Sequence, residues 1–452
     1  MQKPTDVRVR EVLFDFEDYQ YRTPIKFGGA VVDKVTLLNV RVRVESRAGG
    51  VAWGFGSMPL GNVWSFPSKH LKYDQTLQAM KTLAGHLVAV TAGYPEAGHP
   101  IEIHDDLGPQ YLAAAARTAA ELELPEPIPT LCTLVAASPI DAAIHDGFGK
   151  VNGIHSYRGY GRAYMNRDLG FYLDSDFSGE FPDRYVAGAP QAEMPVYHLV
   201  GALDPVFEQD IARRVGDGLP EVLGEWIAAD GLTHIKIKLD GCDLEWDIER
   251  VRAVNRAAEA AQAARGVTGW CYSLDFNERC PNPEYVLAFL RRIQCSAPAA
   301  FGRIQYIEQP TARDLKANPQ NRMHEVARIK PVVIDESLLD YESLLLAREL
   351  GYSGVALKAC KGQSGSLLMA AAARKFGMFL CVQDLTCPGA SLLHSAGLAA
   401  HVPTVAAIES NGRQYVPAAN KPWEERFPGI FHIVNGRMKT GVLDGPGLGI
   451  VP

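Results

Sequence analysis

From about residue 193 onward, short apolar runs alternate with longer stretches whose apolar residues recur at helical spacing. The runs are PVYHLV, HIKIKL, CYSLDF, IQYIEQ, PVVIDES, GVALKA, MFLCVQD and TVAAIES, and they recur roughly every 23 to 40 residues, the spacing a βα unit requires. Several are almost continuously apolar, as strands covered on both faces should be. Between them lie helix-like segments such as DIERVRAVNRAAEAAQAA and SGSLLMAAAARKFG. Eight such units predict a closed parallel β/α barrel of the TIM type, with an open doubly wound sheet as the alternative. The first half has a different texture. VRVREVLFDF, KVTLLNVRVRVES and GGVAWGFGS predict antiparallel strands, and the stretch from about 74 to 150 predicts helices. This gives an N-terminal α+β domain over 1–156, a connection or insertion over 157–192, the barrel over 193–415, and a C-terminal segment over 416–452 that returns to the first domain.

Composition adds little and excludes some classes. The chain has 452 residues, 47 % hydrophobic and 21 % charged, long enough for two cores. A net charge of −7 and the lack of a basic stripe argue against a nucleic-acid partner. No apolar run reaches the roughly 18 residues of a membrane span. The eight cysteines are scattered without a CxxC pair and read as reduced thiols, so a cytoplasmic setting is expected. Cys381 and Cys387 are the closest pair, and no disulfide is expected there.

Chemistry enters where polar residues interrupt the barrel strands. In HIKIKLDG, alternation puts Lys236 and Lys238 on one face and Ile235, Ile237 and Leu239 on the other. Helices outside a barrel suit the apolar face, so the lysines point inward, where proximity and burial should lower their pKa toward that of a general base. An edge strand with its lysines in water is the alternative. Asp275 and Asn277 share a face in CYSLDFNER, Glu308 precedes Gln309 and a proline in IQYIEQPT, and Asp335 and Glu336 close VVIDESLL. Singly, such acids are often helix caps. Together they put three carboxylates on successive strand ends, at the face where barrel active sites lie. Such carboxylates repel unless a cation joins them, and oxygen-only ligands suit Mg²⁺ rather than zinc. Lys358 then ends GVALKACKG on the far side of that group, close in sequence to Lys361.

These motifs resemble the enolase superfamily, and within it the mandelate racemase/muconate lactonizing enzyme family, specifically its muconate-lactonizing-enzyme-like group. The lysine pair, Asp-x-Asn, Glu-Gln-Pro, Asp-Glu-Ser and strand-end lysine occur in the family's order and at similar spacing. TPIKFGGAVVDKVTLLNVRVRVE and SPIDAAIHDGFGKVNG resemble its capping domain and the helix before its barrel. The resemblance implies one Mg²⁺ on Asp275, Glu308 and Asp335. It also implies Lys238 and Lys358 as opposed acid/base groups, Lys236 at the substrate carboxylate, and Asn277, Gln309, Glu336 and Lys361 in support.

The sequence also departs from the family. CVQDLT carries no histidine base, which disfavours a mandelate-racemase-like site, and GQSGS replaces the family's Gly-Gly after the sixth strand. The long aromatic loop WGFGSMPLGNVWSFP lacks an acid often found there. Phe27, Met58 and Trp64 of the capping loops, with Asp384 and Glu409 at the last two strand ends, are candidate substrate contacts. The expected activity is Mg²⁺-dependent proton abstraction α to a small-molecule carboxylate through an enolate, giving a racemase or epimerase. A lyase or cycloisomerase is the runner-up, and a non-catalytic carboxylate-binding barrel the distant third. A homo-oligomer is expected. No phosphate loop, HExxH or GxSxG motif competes.

Overall fold

The structure, a computed structural model, describes residues 2–27 and 30–450. Its N-terminal part is built on an antiparallel sheet of β1 (Val7–Phe27), β2 (Ala30–Ser46), β3 (Val51–Pro59) and the short β4 (Ala97–Gly98), in the order β3-β2-β1-β4. Strict alternation sets its faces: Val40, Val42 and Val44 are buried while Arg41 and Arg43 between them are exposed. Helices α1 (Asn62–Ser65), α2 (Tyr73–Ala92), α3 (Pro100–Glu121) and α4 (Thr130–Val151) complete this domain. Nearly all of α4 is buried, because it lies between β2 and β3 on one side and barrel residues Ala359–Lys361 on the other. A helix enclosed in this way is apolar all round rather than on one stripe.

Eight parallel strands follow: β5 (Met194–Val200), β6 (His234–Lys238), β7 (Cys271–Asp275), β8 (Ile304–Glu308), β9 (Val332–Ile334), β10 (Gly354–Leu357), β11 (Phe379–Val382) and β12 (Val405–Glu409). Ile408 and Glu409 of β12 pair with Val196 and Tyr197 of β5. That pairing closes the barrel and removes the doubly wound alternative. A buried cluster of Tyr197, Tyr306, Val333, Ala356, Cys381 and Ala407 fills the interior, large rings against small side chains.

The segment between the two halves is packed rather than looped out. Tyr157, Tyr160, Met165, Leu169, Phe177 and Tyr185 are buried, and Arg374 donates to the Tyr185 carbonyl. Near the C-terminus, β13 (Arg437–Met438) pairs with the start of β5, and Leu448 N–H donates to Asp146 of α4. Among the described residues no helix is long and apolar enough to cross a membrane.

Candidate active site

Side chains two residues apart on a strand share a face. Counting two onward from the interior cluster therefore gives the next inward layer, at the C-terminal mouth. Tyr306 leads to Glu308, Val333 to Asp335, Ala356 to Lys358, Cys381 to Gln383 and Ala407 to Glu409. On β6 and β7, where apolar Ile235, Ile237, Tyr272 and Leu274 enter the surrounding core, the same rule turns Lys236, Lys238 and Asp275 inward. Register supports this, with Lys238 opposite Asp275 and Asp275 opposite Glu308.

The ammonium groups and carboxylates interlock. Lys236 Nζ lies 2.8 Å from Glu308, 3.0 Å from Glu409 and 3.1 Å from Asp275. Lys238 pairs with Asp275, and Lys358 with Asp335 at 2.8 Å. Lys361 donates to the Asp335 carbonyl and stands 3.3 Å from its carboxylate. Asp275 and Glu308 thus converge on one ammonium, while Asp335 faces the lysines of the opposite side.

The expected supporting residues have distinct tasks. Gln309 accepts from Asp335 N–H at 3.0 Å and Ser337 N–H at 3.3 Å, fixing the backbone that carries Asp335. Asn277 adopts φ +47, a region asparagine tolerates, and its N–H donates to Asp275 at 2.8 Å. Glu336 accepts from the Trp64 indole at 2.9 Å. The ring of Trp64 in turn lies under Lys358, 4.4 Å from Nζ to centroid. The capping loop therefore reaches the site through Trp64. Met58, expected beside it, is instead core: it is fully buried and meets Cys387 Sγ at 3.7 Å. The Phe27 side chain lies outside the described residues. Asp384 is spent on backbone, accepting from Thr386 and Asn411 N–H, and Glu409 serves Lys236. The residue that faces inward on β11 is Gln383, which donates to Glu308 and, at 3.3 Å, to the Tyr306 hydroxyl. In CVQDLT the charged neighbour drew attention from it, although alternation from Cys381 points to it.

Burial and charge set the protonation tendencies. Burial pushes Lys236 down, but Glu308, Glu409 and Asp275 outweigh it and hold the group well above the usual lysine value. This corrects the expectation of a lowered Lys236: its three anionic neighbours outweigh burial and the like charges around it. Lys358 is likewise raised, burial losing to Asp335, whereas burial lowers Lys361. Burial and Asp275 drive Glu308 well up. Asp275 and Asp335 fall below the usual range, because their lysines overcome burial. Burial lifts Glu336 and Asp384 to about 7 each.

Among the described residues, no three His, Cys, Asp or Glu side chains are oriented to share a metal ion, since the carboxylates are turned to ammonium groups. The chemistry of the donor set nonetheless fits a hard divalent cation. Asp275, Glu308, Asp335, Glu336, Asp384 and Glu409 are buried at this mouth against Lys236, Lys238, Lys358 and Lys361. Six acids against four lysines leave a formal excess of two negative charges, and every candidate donor is oxygen. A cavity of about 400 Å³ is lined by Lys26, Leu203, Leu239, Asp240, Arg279 and Asn277 among others, and its Asn277 is the residue whose N–H donates to Asp275.

A family model described as "Enolase C-terminal domain-like" matches residues 219–452, just over half the chain. The chain belongs to the enolase superfamily. Within the superfamily it falls in the mandelate racemase/muconate lactonizing group. Its structure is similar to that of a muconate lactonizing enzyme from Pseudomonas fluorescens complexed with muconolactone, at 17% identity and a TM-score of 0.61, covering 98% of this chain and 96% of that one. It is similar to a substrate-liganded L-Ala-D/L-Glu epimerase from Bacillus subtilis, at 17% identity and 0.63, covering 98% and 99%. It also resembles a dipeptide epimerase from Cytophaga hutchinsonii complexed with Mg and D-Ala-L-Val, at 14% identity and 0.58, covering 90% and 88%. At these identities the likeness is one of fold. No curated protein matched the sequence.

Proposed function

We propose that this enolase-superfamily chain is a Mg²⁺-dependent isomerase that removes the proton α to a substrate carboxylate and returns one to the opposite face, as a racemase or epimerase. The carrying observation is the pairing of Lys238 with Asp275 and of Lys358 with Asp335, two lysines on the strands that flank three acid-bearing ones. The nature of the structural relatives, two of them epimerases and one complexed with Mg, supports the same reading.

Asp275, Glu308 and Asp335 would hold the cation, with Gln309 fixing the Asp335 backbone and Gln383 the Glu308 carboxylate. The chemistry that a bound divalent cation supplies there is countercharge, to those acids and to the substrate carboxylate. Lys238 takes or gives a proton on one face of the α-carbon and Lys358 on the other. Lys236 stays charged between Glu308 and Glu409 and offers a fixed cation to the developing enolate rather than a base. Trp64 and the capping domain keep water from Lys358, which strengthens each of these interactions.

One observation favours a second reading. Lys358 is held protonated by Asp335 and lies on the Trp64 ring, which suits a lysine that only stabilises charge. That would make Lys238 the single base of a lyase or cycloisomerase. The test is α-hydrogen exchange in D₂O with Mg²⁺ across a panel of acid sugars, dipeptides and N-acyl amino acids. A racemase gives exchange from both enantiomers. Lys358→Ala then abolishes it from one and Lys238→Ala from the other, each stopping net racemisation. Exchange that survives Lys358→Ala from every substrate supports the one-base reading, and no exchange from any carboxylate rejects both.

A further inference from the structure

Where α4 meets the barrel, a buried chain of hydrogen bonds stands outside the chemistry just described. The Tyr160 hydroxyl lies 2.8 Å from His145 Nδ1, His145 Nε2 lies 2.8 Å from Ser364 Oγ, and Ser364 Oγ donates to Asp141 Oδ1 at 2.8 Å. All four side chains are buried. The bonds have one consistent direction. Because the serine proton is committed to Asp141, Ser364 Oγ must accept, so His145 carries its proton on Nε2. Its bare Nδ1 then accepts from Tyr160. Burial holds His145 neutral, with a pKa of about 4, as this tautomer requires.

The chain ends at the segment that follows Lys358. After β10 come the short turn Ala359–Lys361, Gly362 at φ +99, and the helix Gln363–Lys375. Gly362 occupies the N-cap and brings no side chain to cap that helix. Asp141 does so from α4: its Oδ2 accepts from Ser364 N–H at 2.8 Å. A side chain at 362 would crowd it, since an added Cβ falls 3.1 Å from that oxygen. Within the same turn Ser366 Oγ donates to the Lys358 carbonyl at 2.9 Å, and Lys361 holds the Asp335 carbonyl. One end of the turn is thus fastened to the barrel acids and the other to the capping domain.

We infer that Asp141, His145, Ser364 and Tyr160 are positioning residues that set where Lys358 and Lys361 stand against Asp335. The capping domain then does more than cover the barrel: α4 fixes Lys358 and Lys361 against Asp335. A fully satisfied buried chain has a single low-energy geometry, which makes it a suitable clamp. The catalytic consequence rests on the role proposed above for Lys358. The clamp itself does not.

Ser364→Ala in the full-length Mg²⁺-loaded protein tests both. Amide hydrogen exchange across 358–366 should rise about tenfold, the loss of one or two buried hydrogen bonds, with 234–240 unchanged. Substrate α-hydrogen exchange on the Lys358 face should fall by about the same factor, with KM and exchange on the Lys238 face unchanged. A rise in amide exchange that is equal in both segments, or absent from both, overturns the clamp. Loosening confined to 358–366 with wild-type chemistry on both faces supports the clamp and overturns the role given to Lys358. Asp141→Asn keeps the volume and removes the cap's charge. It is measured in parallel with the same readings, and it decides the matter if Ser364→Ala does not fold.

Discussion

Glu308, Glu409 and Asp275 all lie within 3.1 Å of the Lys236 ammonium. Lys236→Met keeps much of the volume and removes the charge, leaving those carboxylates buried without their shared partner. Loss of one side of a buried ion pair costs about 3–5 kcal/mol, so the variant should be destabilised by that amount in urea without metal. Saturating Mg²⁺ should recover more stability in the variant than it adds to the wild type, because no ammonium competes for Glu308 and Asp275. Equal Mg²⁺ stabilisation of the two proteins would place the cation away from these acids. At this scale strand alternation was informative for Lys236, Lys238 and Asp275, which share the inward face their spacing suggested, while Glu308, Asp335 and Lys358 were marked by their place at strand ends. It was silent on partners. Lys236 and Glu409 are 173 residues apart, and only closure of the barrel brings them together. An acidic Asp384 beside an inward Gln383 shows how residue type alone misleads when the strand's parity is not counted.

Strand β3 approaches α4 so closely that side chains are excluded. A Cβ on Gly54 would fall 1.9 Å from the Ala143 carbonyl oxygen, and one on Gly56 2.0 Å from that of Pro139. The neighbours are helix backbone, which cannot rotate away. Gly54→Ala and Gly56→Ala should each destabilise at or above the upper end of the roughly 1–3 kcal/mol typical of overpacking, read as a fall in the urea midpoint at constant m. Gly85, inside α2 with only Phe14 Cζ in reach of an added Cβ at 3.9 Å, is the control: Gly85→Ala should stabilise by about 0.4–1 kcal/mol. If the β3 variants melt like the wild type, α4 is not held by this contact. Such glycines are ambiguous in sequence, since WGFG reads equally as a loop or a strand. The connection over 157–192 was opaque for another reason. Its buried Tyr157, Tyr160, Phe177 and Tyr185 follow neither a period of 2 nor one of 3.6, being set by the helices of both halves that they pack on, such as α4 at His145 and the barrel at Phe376 and His401.

Across the whole molecule, buried and half-buried histidines set the response to acid. His145 and His234 titrate at about 4, and His198, His394 and His401 at about 3, in each case chiefly through burial. His99 and His155 are lowered too. An unfolded histidine titrates near 6.5. Between about pH 6.5 and 5 the unfolded chain therefore takes up protons at six of these positions where the folded chain does not, and at His155 it takes up more than the folded chain. Stability is lost as pH falls through that window, since it drops wherever the unfolded state binds more protons. Carboxyls oppose this, four of them strongly. Glu336 and Asp384 are lifted to about 7, Asp247 to about 6 and Glu308 well above its usual value, chiefly by burial. They stay protonated in the folded chain at pH values where the unfolded chain has released those protons, so their contribution grows as pH falls. Asp105, Asp146, Asp183 and Asp204 are raised too, by less. Six strongly lowered histidines against four strongly raised carboxyls leave a net loss, each net proton contributing up to about 1.4 kcal/mol per pH unit. Urea midpoints at pH 7.5, 6.5, 5.5 and 5.0 should fall progressively below pH 6.5. With saturating Mg²⁺ the fall should steepen, because Glu308 and its neighbours would then be held as carboxylates and no longer offset the histidines. A slope that Mg²⁺ leaves unchanged would mean that the mouth carboxyls do not exchange protons for metal, and a stability that rises below pH 6.5 would mean that the carboxyls, not the histidines, dominate.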